Sequence, residues 1–351
     1  MRSISLLVAL AAFAAASPFP QDLPIDAIIE AGPPPNVTVP VDGASSEQIS
    51  YDPSAVISET VAFVTADPLP QRKRSLQKRS ATCTPLPAGS GPVPTPDTPS
   101  AFLAYSAFAA AASQAPAPAG YVQTFQNLQA SNNANGYLGY KSLTTYDVSA
   151  CAKACDGVKG CSAFNIYFER DPALAPGADC LNPNSTTVIK CVYWGGPVTA
   201  ENAVNKGQWR NNFQVVIAGS NGYVNQTVTN VPGYKGTFLN NAAVNAPLDC
   251  NGNDTYMGYK LFNDGAPFDA TRCAAACDAQ SAYNIAHPPQ SGPPKICRFF
   301  NTYLMEKNGL SQGQMCSMYT LAWDSSYAVN TGQTRGTDVY SIAYRYDLIP
   351  T

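Results

Sequence analysis

Eleven cysteines are the residues best able to do chemistry in this chain, and their spacing decides which chemistry. Cys151, Cys155 and Cys161 lack the Cys-x2-Cys spacing of a zinc site, and the only histidine, His287, lies far away between Ala286 and Pro288. The cysteines therefore read as oxidised pairs, and no metal or cofactor is expected. A lone loop histidine reads as surface, and no Gly-x-Ser-x-Gly elbow surrounds any serine, so no Ser-His-Asp triad is expected. Glu169 and Asp171 are the one pair of carboxylates that suggests glycoside hydrolysis. They are two residues apart beside Arg170 and point to no deep cleft, so no catalytic residue is assigned and the chain reads as non-enzymatic. Asp249-Cys-Asn251-Gly-Asn253 imitates the start of a calcium loop, but Asp254 stands where glycine is needed and Lys260 where glutamate is needed. A glycine-rich phosphate loop is absent. Aromatic rings are the remaining candidates, because Trp and Tyr faces stack on sugars and anchor protein contacts. Tyr193, Trp194 and Trp209 are the candidate ligand contacts, with coverage of an apolar sheet face as the alternative role for such rings.

The elements that must position these residues come from one pattern that occurs twice. The first copy is Asp147-Val-Ser-Ala-Cys151-Ala-Lys-Ala-Cys155, then Cys161-Ser-Ala-Phe164-Asn165-Ile-Tyr167, then Cys191-Val-Tyr-Trp194. The second is Asp269-Ala-Thr-Arg-Cys273-Ala-Ala-Ala-Cys277, then Cys297-Arg-Phe-Phe300-Asn301-Thr-Tyr303, then Cys316-Ser-Met-Tyr319. Cysteines at i and i+4 share one helix face, an aspartate four residues earlier can cap the helix, and alanine between them favours it. Helices are predicted over about 147–156 and 269–278. Strands are predicted around them, including 163–169, 187–194 and 213–218 in the first copy and 298–305, 316–322 and 339–346 in the second. Alternation in Val188-Ile189-Lys190-Cys191-Val192-Tyr193 suits a half-buried sheet, and 219–222 reads as a linker between copies. Asn205-Lys-Gly207-Gln208 and Asn330-Thr-Gly332-Gln333 match without a gap and read as a hydrogen-bonded turn. Where the first copy has Tyr193, Trp194 and Trp209, the second has Met318, Tyr319 and Thr334, and an aromatic found in one copy only is freer to serve a ligand.

This framework resembles the PAN/apple module, as found in tandem in secreted fungal proteins, over about 121–346. The resemblance implies an α+β fold of two PAN/apple-like modules, 121–223 and 224–351, each an antiparallel sheet packed on one disulfide-tethered helix. It implies the pairs Cys151–Cys191, Cys155–Cys161, Cys273–Cys316 and Cys277–Cys297, the last inside a loop enlarged by the Pro- and Gly-rich insert 278–296. Cys83, Cys180 and Cys250 remain, allowing at most one further bridge and leaving one thiol that is buried, capped or paired between chains. The family also implies recognition of extracellular carbohydrate or protein at the cell surface or wall. A structural wall or matrix glycoprotein is the alternative, and a hydrolase comes third.

The N-terminal region reads differently. Residues 1–16 carry Arg2, an apolar run and Ala14-Ala15-Ala16, the marks of a secretory signal peptide. No apolar run is long enough to span a membrane. Residues 17–79 are proline-rich, lack cysteine and end in Arg72-Lys73-Arg74 and Lys78-Arg79, which resemble kexin-type processing sites at Arg74 and Arg79. They are expected to be a propeptide, followed by a Pro/Ala-rich extension, 80–120. Six of the 21 basic and eight of the 24 acidic residues precede Ser80, leaving 15 and 16. Near-neutral charge argues against nucleic acid as a partner. Sequons at Asn36, Asn184, Asn225 and Asn253 suit a secreted glycoprotein.

Overall fold

The computed structural model describes residues 23–65, 83–225, 231–239 and 242–350; the side chains of 238 and 344–350 lie outside this description. The expected signal peptide and the processing sites at Arg74 and Arg79 also lie outside it. The N-terminal segment contains α1 (Ile25–Ala31), β1 (Glu47–Gln48) and α2 (Pro53–Thr65), and the extension contains α3 (Pro99–Leu103) and α4 (Ser106–Gln114). The first repeat follows as β2 (Tyr121–Leu128), β3 (Tyr137–Leu143), α5 (Val148–Asp156), β4 (Ala163–Pro172), β5 (Ser185–Trp194), β6 (Trp209–Arg210), β7 (Phe213–Gln214) and β8 (Ile217–Asn225). The second is β9 (Tyr234–Phe238), β10 (Ala243–Val244), β11 (Tyr256–Phe262), α6 (Ala270–Ala286), β12 (Phe299–Lys307), β13 (Leu310–Tyr319), β14 (Ala328–Asn330), β15 (Gly332–Arg335) and β16 (Asp338–Pro350).

The fold is α+β with antiparallel sheets. Strand order is β3-β5-β4-β8-β2 in the first repeat and β11-β13-β12-β16-β9 in the second, the same plan twice. Each helix forms for the reason its sequence suggests. Asp147 accepts from the Ala150 N–H at 2.9 Å and Asp269 from the Thr271 N–H at 2.9 Å, so each aspartate satisfies an otherwise unpaired donor of the first turn. Val148, Cys151, Ala152 and Cys155 form the buried face of α5. That face packs on Phe164, Ile166, Phe168, Ile189, Cys191 and Tyr193 of the sheet. Disulfides Cys151–Cys191 and Cys155–Cys161 tie α5 down, and Cys273–Cys316 and Cys277–Cys297 do the same for α6. Cys83–Cys180 pins the extension to the first repeat, while Cys250 is free and exposed.

Three expectations need correction. Residues 219–222 are no linker: they lie inside β8 and pair with β2 and β4, because small residues there let neighbouring groups pack closely, as Phe125 does against Gly222. The insert is not all loop. Its first part, Asp278-Ala-Gln-Ser-Ala-Tyr-Asn-Ile-Ala, continues α6 until His287 and two prolines stop it. The sheet of the first repeat is not half-buried either, since all ten residues of β4 are buried. One face lies under α5, and the other is covered by loops and by the N-terminal segment. Val39 packs with Tyr167, Val192 and Trp194, and β1 pairs with β3. In the second repeat Leu23, Ile25 and Ile28 cover Tyr303, Met305 and Met315 on the equivalent face. Each such fully buried aliphatic chain contributes roughly 1.5–3 kcal/mol relative to exposure. No helix among the described residues is long and apolar enough to cross a membrane.

Candidate functional site

Strand alternation separates the three aromatic candidates. Tyr193 faces α5 and is buried; burial pushes its hydroxyl up to about 12. Trp194 faces the other way, 1% exposed, against Tyr137 at 5.5 Å between ring centroids. Neither offers a ring face to solvent, which corrects their reading as ligand contacts: both faces of β5 are covered. Trp209 is the exception, at 65% exposed. It sits on the β6–β7 hairpin, whose turn uses Asn211 at φ 52°, a region asparagine tolerates.

The hairpin is positioned from below by the Asn-x-Gly-Gln motif. Asn205 Oδ1 accepts from the Gly207 N–H at 3.1 Å, and Asn330 Oδ1 from the Gly332 N–H at 3.2 Å. Gly207 has φ +97°, and a Cβ there would lie 2.1 Å from the Val215 carbonyl oxygen, so only glycine fits. Arg210 donates to the Val41 carbonyl, fastening the hairpin to the N-terminal segment.

Beside this hairpin opens a groove of about 220 Å³. Amides line it: Asn132 and Asn133 from one loop, Asn205 and Gln208 from another, and Asn36 from the N-terminal segment. Glu169 reaches it from the sheet. Behind Glu169 lies a buried charge cluster that the sequence signalled only in part. Glu169, Asp171 and Lys190 share the face of the sheet opposite α5, with Glu169 2% exposed and the other two fully buried. Lys190 Nζ donates to Glu169 Oε1 and, at 2.6 Å, to the Pro40 carbonyl. Burial alone would lower the Lys190 ammonium, but Glu169 and Asp171 outweigh it and hold the group protonated. Asp171 shifts the other way: burial first, then the Glu169 charge, raise its carboxyl well above the usual range. Neither Asp171 oxygen has a hydrogen-bond partner among the described residues, although the Glu169 carboxyl and the Lys190 ammonium lie close by. The cluster thus sets one ammonium against two acidic side chains in a buried site. The second repeat has Met305, Lys307 and Met315 at the matching places. Lys190 was the missed member; its signal was a lysine alternating in register with Val188 and Val192.

The remaining candidates are dispersed. His287 ends α6, stacked on Tyr283 at 4.3 Å with its ring exposed. Asp249 accepts from the N–H groups of Asn251 and Asn253 at 2.9 and 2.8 Å, a hydrogen-bonded turn. Asn184 and Asn253 are exposed, Asn225 is half-buried at the end of β8, and Asn36 is exposed at the groove. No group of three metal-ligating side chains gathers among the described residues. Five disulfides suit an oxidising, extracellular compartment. No protein-family model, curated protein or solved structure matches this chain.

Proposed function

We propose that this chain is a secreted, non-catalytic recognition protein that binds carbohydrate in the groove at the base of the hairpin that carries Trp209. The observation that carries the reading is one exposed tryptophan, Trp209, next in the chain to Gln208, which lines a groove with four asparagine side chains. Amides both donate and accept, which suits hydroxyl-rich ligands, and an indole face covers the apolar side of a sugar ring. The carboxylate pair does not favour hydrolysis: Glu169 is committed to Lys190, and Asp171 is sealed in the sheet.

The test is a glycan-array and soluble-polysaccharide screen of the secreted protein, followed by Trp209→Ala. Saturable binding that weakens roughly fivefold or more, as loss of about 1 kcal/mol of stacking requires, supports the reading. Binding to protein ligands alone, or recovery only in an insoluble wall fraction, would move the assignment to protein recognition or to a structural role.

A further inference from the structure

We propose that residues 23–65 form a permanent noncovalent subunit, which stays bound across both sheets after the chain is cut at its basic sites between 66 and 82. The segment contacts the two repeats alternately. First, α1 lies on the second repeat, where Ile25 and Ile28 are buried against Met305, Met315 and Tyr340, and Asp26 pairs with Arg335. Next, residues 37–48 cross to the first repeat. Val39 enters its far-face core, Val41 packs with Phe213 and Val215, and β1 adds to the edge of β3 with Glu47 opposite Tyr140. Finally, α2 returns to the second repeat and lies along α6. There Val64 joins the helix-side core, and Thr60, 1% exposed, accepts from Arg272 Nε at 3.1 Å. Tyr51 bridges the crossing by donating to Asp269, the capping residue of α6, at 2.8 Å.

Two close contacts seat this occupant on the body. The Gly139 backbone leaves no room for a side chain, because a Cβ there would lie 2.2 Å from the Glu47 carbonyl oxygen. Its counterpart in the second repeat, Gly258, has nothing within 4 Å. The Lys190 ammonium, fully buried, takes the Pro40 carbonyl as one of its acceptors. Without the segment, that donor and the apolar face around Met305 and Met315 would be uncovered together. No cysteine lies in 17–79, so no disulfide retains the piece, only packing, hydrogen bonding and the Asp26–Arg335 ion pair.

The experiment uses the full secreted chain, cut by a kexin-type protease. A second version replaces residues 72–79 with a sequence-specific protease site, so that cutting does not depend on the native bases. Denaturing electrophoresis should show two fragments, and size exclusion in native buffer should show one peak containing both. The pair Ile25→Asp with Ile28→Asp, which puts charge into the apolar contact, should speed release of the fragment at least tenfold. Recovery of the wild-type fragment apart from the body in native buffer overturns the proposal, whether the body stays dissolved or precipitates.

Discussion

Lys190 and Glu169 show how much a single buried charge depends on its partner. Lys190→Met should destabilise the protein by about 3–5 kcal/mol, because it leaves the Glu169 carboxylate buried and uncompensated. Adding Glu169→Met should recover most of that loss, since Met305 and Met315 already fill the matching places in the second repeat. Chemical denaturation of the three variants measures it; a double variant no more stable than Lys190→Met would contradict the account. The two tryptophans should separate just as sharply. Trp194→Ala should cost about 3–5 kcal/mol as a large-to-small core change, whereas Trp209→Ala should leave the melting temperature within a degree or two and act on binding alone. The sequence marked both tryptophans because the second copy has Tyr319 and Thr334 in their places, yet that asymmetry carries no information about burial. Burial follows from what covers each face of β5, and those covers come from distant parts of the chain.

Elements were legible where local chemistry sets them. Aspartate caps, cysteines at i and i+4 and alanine between them place α5 within a residue of expectation and start α6 correctly. The end of α6 was harder, because its extra turns depend on helix-forming residues that precede the insert's prolines rather than on the insert's overall composition. Strand β12 carries a consequence for pH. Burial, opposed by a hydrogen bond from Ser341 and aided by the charge of Glu201, pushes the Glu306 carboxyl up to about 7. The folded protein therefore keeps a proton that the unfolded chain releases at ordinary carboxylate pH, and stability should fall as pH rises through that interval to about 7. Asp171 acts in the same sense. Glu306→Gln should flatten the decline in melting temperature between pH 5 and 7; an unchanged slope would show that Glu306 titrates normally.

At the scale of the molecule, the duplicated sheet could be read from the repeated motifs, but the role of residues 23–65 could not. A proline-rich stretch without cysteine looks like a spacer, and its few aliphatic residues show no period until they meet the faces they cover. A chain begun at Ser80 should therefore be secreted in lower yield and bind a hydrophobic dye that the complete protein excludes; normal yield without dye binding would mean the repeats close their own faces. The contacts of that stretch also set an order of events during synthesis. Asp26 and Arg335 are 309 residues apart, and α1 rests on Tyr340 and Ile342. At about 5–20 residues per second, the ribosome releases the partners of α1 some 15–60 seconds after α1 itself. The first of the described helices to emerge is thus among the last to dock, and an incomplete chain offers it nowhere to go. A nascent protein cut short before β16 would keep the Ile25 and Ile28 side chains in water, where folding surveillance in the secretory pathway can recognise them.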